Sequence, residues 1–341
     1  MIGDIADAAF APAAAAVADG RLPGATLGLV TRDGDQAVRF AGMAALVPEP
    51  QPLTADHWFD LASVSKVIAT TTMILRLADE GRLDLDRPLT DAIPDLRQYD
   101  IDAARERRLT FRDCLTHNTH LPAVEPIYTY GGDPARLRAF VLQREWRAGP
   151  PVYSDINFIL LGMAIERITG AGLDAWPLPP GLSFSPQGPA VATEACTWRG
   201  RVLKGEVHDE NASALGGAAG HAGLFGTVAG VLGFARGLLD GTGASPDMLR
   251  SIVAATNGHR TAGWERRFAG WPGGDACSDE TIGHTGFTGT GLWIDFDHGL
   301  AWTLLTNRVH PTRHRDSGIF ALRPATGDAV IAAFSSPRRS G

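Results

Sequence analysis

Two side chains stand out by type and spacing. Ser63 and Lys66 lie three apart in SVSKVIATTTMILRLADEG (63–81), a stretch of helical length that ends at Gly81, a residue suited to a helix C-terminus. Residues three apart share a helix face, so the hydroxyl and the amine can meet. Ser63 falls in the first turn, where unbonded N–H groups favour a developing oxyanion. A buried lysine with a lowered pKa can take the serine proton and leave an activated nucleophile. With 13 serines and 2 lysines in 341 residues, chance placement yields roughly 0.08 such pairs. The other 29 cations are arginines, which keep their protons at any working pH, so a lysine here invites a role that needs a removable proton. The plain alternative is Ser63 as a helix cap and Lys66 reaching out to solvent. Against it, Val67 to Thr72 is nearly uncharged and poor in helix propensity, which calls for a helix held by burial.

Other segments carry weaker signals. Tyr153-Ser154-Asp155 sits between the Pro150-Pro151 break and the helical INFILLGMAIERITG, where Ser154 or Asp155 could simply cap. Gly283-His284-Thr285-Gly286 precedes the strand-like GTGLWIDF, and its glycines would let a substrate backbone lie against a strand edge. The stretch 205–227 contributes His208, Asp209 and His221; Arg308, His310, Arg313, His314 and Arg315 form a basic cluster able to receive carboxylates or to be a solvated helix start. His208 and His221 with Asp209 could be read as zinc ligands, but they lack a tight metal-binding spacing, so no metal is expected. His117 in LTHNTHLP is expected to be structural, bonding backbone at a helix end.

These residues need a scaffold to position them. GATLGLVTRDG (24–34) and QAVRFAGMA (36–44) predict a hairpin turning at Asp33-Gly34, and GLWIDF and WTLLTNR predict two more strands around Asp297-His298-Gly299. Between them, 103–116, 134–147 and 156–169 have helical patterns with no convincing strands, followed by helices at 228–240 and 316–334. Strands near both ends and helices between them predict an α/β lobe built from 1–82 and 205–341, with a mainly helical lobe at 83–204. Hydrophobic residues at 44% and charged ones at 20% indicate a folded chain. The net charge of −7 disfavours nucleic-acid and anionic-membrane binding, and the clean apolar run Phe158 to Ile165 is far short of the roughly 20 residues of a membrane span. Ala8 to Ala18 follows Asp4 and Asp7 rather than basic residues and contains Pro12, so it predicts an amphipathic helix rather than a signal. Cys114, Cys196 and Cys277 form no paired spacing, which favours the cytoplasm.

Taken in order, these segments resemble the serine β-lactamase and penicillin-binding-protein superfamily, in particular its class C β-lactamase-like esterases and amidases. The resemblance runs from about Gly24 to Ile331, anchored by FDLASVSKVIATT, LTHNTHLP, YSDINFILLG, GGAAGHAGLFGT and GHTGFTGTGLWID. It implies an α/β fold of α+β type, β-lactamase/transpeptidase-like, with an antiparallel sheet flanked by helices and a helical lobe. It implies Ser63 as acyl-enzyme nucleophile, Lys66 as base or proton shuttle, Tyr153 as proton donor to the leaving group, and the Ser63 and Phe287 N–H groups as oxyanion hole. His284, Thr285 and Gly286 match the family's K-T-G strand with His for Lys. An ordinary histidine pKa near 6.5 would weaken its grip on a carboxylate near neutrality, so efficient penicillin hydrolysis is not expected. Asp155 stands where many relatives have Asn, at the place that holds a substrate amide.

More narrowly, 205–227 and 304–313 look like cytoplasmic amidases of cell-wall recycling, which cut N-acetylmuramoyl-L-alanine bonds. That likeness implies His221, Arg308 and Arg313 as further substrate contacts, a small-molecule or muropeptide partner, and no cofactor. The alternatives are a carboxylesterase on small esters, a weak β-lactamase or penicillin-binding protein, a non-catalytic sensor on the same fold, and a metal-dependent amidase.

Overall fold

The computed structural model describes residues 1–336. The chain opens with α1 (Ile2–Ala18), the hairpin β1 (Gly24–Thr31) and β2 (Gln36–Ala45), and the short β3 (Gln51–Pro52). Strand β4 (Phe59–Asp60) leads into a 3₁₀ turn (Ala62–Val64), a π-helical segment (Lys66–Thr71) and α2 (Thr72–Asp79). Next come α3 (Phe111–Leu115), α4 (Pro134–Gln143), α5 (Asp155–Thr169), β5 (Leu182–Ser183), β6 (Ala192–Cys196), β7 (Arg201–Lys204), α6 (Glu210–Ala214) and β8 (Phe225–Gly226). The chain then forms α7 (Val228–Leu239), α8 (Pro246–Val253), β9 (Glu265–Arg266), β10 (Ile282–Thr285), β11 (Gly291–Asp295), β12 (Leu300–Thr306) and α9 (Ile319–Ser335).

Seven strands make one antiparallel sheet, ordered β3-β2-β1-β12-β11-β10-β9, so a strand from the start of the chain pairs with one from near its end. The alternation of side chains builds two cores. Ala25, Leu27 and Leu29 of β1, Trp293 of β11 and Leu300, Trp302 and Leu304 of β12 face α1 and α9. Val30, Leu292, Ile294, Ala301 and Leu305 belong to the larger core with α7 and the central helices. Trp293 and Trp302 are register partners and stack with centroids 5.9 Å apart. Each such fully buried large side chain contributes roughly 1.5–3 kcal/mol. At Gly28 a side chain would strike Val228 and Leu232, so glycine lets α7 close on the sheet.

The two hairpins, the first helix and the last appear where the sequence places them. Two features differ. Region 83–204 also holds β5, which pairs with β8, and the antiparallel β6/β7 pair, whose short strands turn at Gly200 with φ +66°. The continuous helix expected at 103–116 is broken, because the Thr110 side chain accepts the Asp113 N–H and Asp113 returns a bond to the Thr110 N–H, restarting the helix at Phe111. Among the described residues no helix is long and apolar enough to cross a membrane.

Candidate active site

Ser63 sits just beyond β4, which is held in place by β8. The preceding Ala62 has φ 46°, a conformation costing about 1–3 kcal/mol in a residue with a side chain. A dense local network holds it there. Asp60 accepts the Ala62 N–H at 2.8 Å with one carboxylate oxygen and the His208 N–H at 2.6 Å with the other. Thr288 donates to the Asp60 carbonyl (2.8 Å) and Thr290 to the Leu61 carbonyl (3.0 Å), tying this turn to the loop between β10 and β11.

Lys66 starts the π-helical segment, the kind of local widening often found at functional sites. Its side chain is 0% exposed. The ammonium donates to Ser63 Oγ and to the His221 carbonyl, each at 2.9 Å, and lies 2.8 Å from Asp155 Oδ1. That last contact is an ion pair, and Oδ1 has no hydrogen-bond partner besides it. Burial alone would push the lysine pKa down, but the Asp155 charge beside it outweighs burial and raises it. This reverses the expectation of a lowered pKa: Lys66 is an ammonium at rest.

Tyr153 lies just before α5, where Ser154 donates to the Pro122 carbonyl at 2.6 Å and its N–H is accepted by His117 Nδ1 at 3.0 Å. His117 thus has the backbone-bonding role expected of it, and its ring also packs on Tyr153 with centroids 4.5 Å apart. The Lys66 ammonium is 5.0 Å from the Tyr153 ring centre. The Tyr153 hydroxyl is buried with no aligned partner; burial raises its pKa over the opposing pull of Lys66, leaving it a neutral phenol.

Opposite, β10 presents His284 and Thr285. Burial, then the Lys66 and Arg260 charges, push the His284 pKa down to about 3. Its Nδ1 lies 2.9 Å from the Thr285 carbonyl, which can only accept, so Nδ1 carries the proton and Nε2 is an acceptor. His284 is therefore neutral well below neutral pH, a stronger effect than an ordinary histidine predicts. The Ser63 and Phe287 N–H groups take no partner in the hydrogen-bond network of the described residues.

Ser63, Tyr153, Asp155, His284, Thr285, Gly286, Phe287, Arg308 and Arg313 all line one cavity of about 650 Å³. His221 does not. Its imidazole is buried in an ion pair with Asp209 (2.8 Å), and it reaches the site through its carbonyl on Lys66. Burial opposes this histidine's charge, but Asp209 outweighs it and raises the pKa. The loop carrying it is pinned by Ser65, which accepts the Leu224 N–H, and Thr70, which donates to the Gly220 carbonyl. Gly220 itself has φ +79°, and a side chain there would collide with the Phe158 carbonyl.

The arginines divide into two kinds. Arg313 is held by Glu194 (2.6 Å) and Glu210 (2.5 Å), with His208 bonded to the same Glu194, so its charge is already answered. Arg308 bonds the Phe287 carbonyl (2.6 Å) and lies over the Phe287 ring. Arg323, not anticipated from the sequence, is 5% exposed and donates to the Gly286 and Thr290 carbonyls, both at 2.7 Å. Burial and Arg308 lower its pKa to about 9. Neither Arg308 nor Arg323 pairs with a carboxylate among the described residues. Asp60 and Glu194 were missed too: an acid whose work is to hold backbone or an arginine leaves no spacing signal. Among those residues no three His, Cys, Asp or Glu side chains converge as a metal site.

A hydroxyl on an ammonium, a buried phenol, two free N–H groups and unanswered cations suit acyl transfer through a serine. Comparison with known proteins agrees. The chain is 28% identical to an N-acetylmuramyl-L-alanine amidase of Bacillus subtilis (strain 168), over 84% of this chain and 78% of that one. It is 28% identical to a putative D-alanyl-D-alanine carboxypeptidase of Escherichia coli (strain K12), over 83% and 78%. The solved beta-lactamase from Sulfitobacter sp. EE-36 superposes with a TM-score of 0.72 at 22% identity, covering 96% of each chain. The Beta-lactamase family model matches residues 10–326. The chain is a serine hydrolase and belongs to the beta-lactamase family.

Proposed function

We propose that this chain is an amidase that forms an acyl-enzyme at Ser63 and cuts an amide in a peptidoglycan fragment, most specifically an N-acetylmuramoyl-L-alanine-type bond. The observation that carries this reading is that Ser63, bonded to the buried Lys66, lines one cavity with Tyr153 and with Arg308 and Arg323, two arginines without carboxylate partners among the described residues. Ser63 attacks the carbonyl, Lys66 shuttles the proton, and neutral Tyr153 protonates the leaving amine and is reprotonated from Lys66, so the serine proton ends on the amine. The Ser63 and Phe287 N–H groups receive the oxyanion. Thr285, Gly286 and Arg308 receive the peptide backbone and its carboxylates, with Arg313 behind them as a fixed wall. No cofactor enters this chemistry. Val124, Tyr128, Tyr153 and Asp155 from 83–204 face Ser63 and β10 from 1–82 and 205–341, which supports reading the cavity as lying between two lobes. Three buried free cysteines agree with a cytoplasmic setting.

The amidase name of one relative supports the amide, and the neutral His284 argues against a β-lactam carboxylate grip like that of lysine. The second reading, a carboxylesterase, draws on the apolar side chains Val124, Phe287 and Phe320 at the cavity. Mass-spectrometric analysis of products from an N-acetylmuramoyl-L-Ala-D-Glu peptide separates them. Peptide released by the wild type and not by Ser63→Ala supports the amidase. No release, with turnover of a nitrophenyl ester retained, moves the function to the esterase.

A further inference from the structure

We propose that Asp155 is the terminal proton acceptor of acylation, taking a proton from Lys66 so that this lysine can deprotonate Ser63. The inference rests on the acyl-enzyme reading above. An ammonium has no lone pair, so Lys66 cannot accept the serine proton until it has given one away. Of its three neighbours, Ser63 Oγ and the His221 carbonyl are aligned acceptors of hydrogen bonds, and Asp155 Oδ1 at 2.8 Å is the one that can keep a proton. Oδ1 is buried and has no hydrogen-bond partner besides that ammonium, so nothing else competes for its lone pairs.

The step balances. One N–H proton passes from Lys66 Nζ to Asp155 Oδ1, and rotation about the Cε–Nζ bond turns the freed lone pair to Ser63. The Ser63 O–H bond breaks toward Nζ as the Oγ–carbonyl carbon bond forms and the carbonyl electrons become the oxyanion. Lys66 ends as it began. The negative charge moves from Asp155 to the oxyanion, so no new charge is created in a buried site, where that would be costly. A neutral lysine with Asn at 155 would have to create an ammonium and an oxyanion together.

Stopped-flow measurement of the nitrophenolate burst from p-nitrophenyl acetate tests this. Asp155→Glu, which keeps a proton-accepting carboxylate, should burst within about ten-fold of the wild-type rate. Asp155→Asn, folded by circular dichroism, should burst at least about 100-fold more slowly than wild type, and Asp155→Ser, which also lacks the carboxylate, stands in if it does not fold. A folded Asp155→Asn or Asp155→Ser slowed by less than that overturns the relay, and so does a folded Asp155→Glu as slow as they are. A missing wild-type burst, or one that survives in Ser63→Ala, instead removes the acyl-enzyme reading itself.

Discussion

Lys66→Met, made alone and together with Asp155→Asn, measures how strongly the buried pair is coupled. The ammonium is wholly buried, with three oxygens within 2.9 Å, while the Asp155 side chain is 16% exposed. Methionine fills similar volume but leaves the carboxylate with no cation beside it, at a cost of about 3–5 kcal/mol. Asp155→Asn alone costs less, about 1–3 kcal/mol, because a buried lysine without a partner sheds its proton instead of remaining charged. In the double variant neither charge is stranded, so the two losses should fall short of their sum by about 2–3 kcal/mol. Urea unfolding at neutral pH, with unchanged slopes, reads all four corners of the cycle. Additivity to within about 0.5 kcal/mol would refute the coupling. The sign with pH follows from the raised lysine pKa: the pair's contribution is fully present below the ordinary value of 10.5 and is lost as pH rises through the higher folded value.

Three other outcomes follow from the same geometry. His284 ionises in the unfolded chain near 6.5 but in the folded one only near 3, so acid should remove stability across that window, and His284→Gln should flatten this part of a stability-against-pH curve; an unchanged slope counts against the buried neutral imidazole. Arg323→Gln should lower kcat/KM more for a carboxylated ester than for its neutral amide counterpart, by about ten-fold in ratio, and an unchanged ratio would deny the arginine a part in anion recognition. Gly220→Ala must strain a φ of +79° and displace the Phe158 carbonyl, so a loss of more than about 2 kcal/mol in chemical unfolding is expected, with slower turnover as the His221 carbonyl shifts; wild-type stability would contradict this.

Much of the frame was legible because it depends on local pattern. The doubly apolar β1, the Asp33-Gly34 turn and the alternating β11 and β12 carry their structure in two-residue periodicity. Ser63 and Lys66 declare themselves by a three-residue spacing within one continuous helical stretch, a 3₁₀ turn running into a π-helical segment. What stayed hidden depends on residues brought together from afar. The sign of the Lys66 shift turns on Asp155, 89 positions away, so burial read from the sequence pointed the wrong way. Similarly, Arg308 and Arg313 look alike in the sequence, yet Glu194 and Glu210 occupy one of them while the other faces Phe287. Arg323 sits in an unremarkable helical stretch, and nothing local says that it reaches two carbonyls next to the oxyanion loop. The β6/β7 pair is short enough that only its partner distinguishes it from loop.

Rapid-quench intact-protein mass spectrometry with a slowly released nitrophenyl ester tests the central assignment most directly. Wild-type protein should gain the mass of one acyl group, located by digestion on the peptide carrying Ser63, while Ser63→Ala gains none and turns nothing over. An adduct on another residue, or ester hydrolysis by Ser63→Ala at the wild-type rate, would contradict the account.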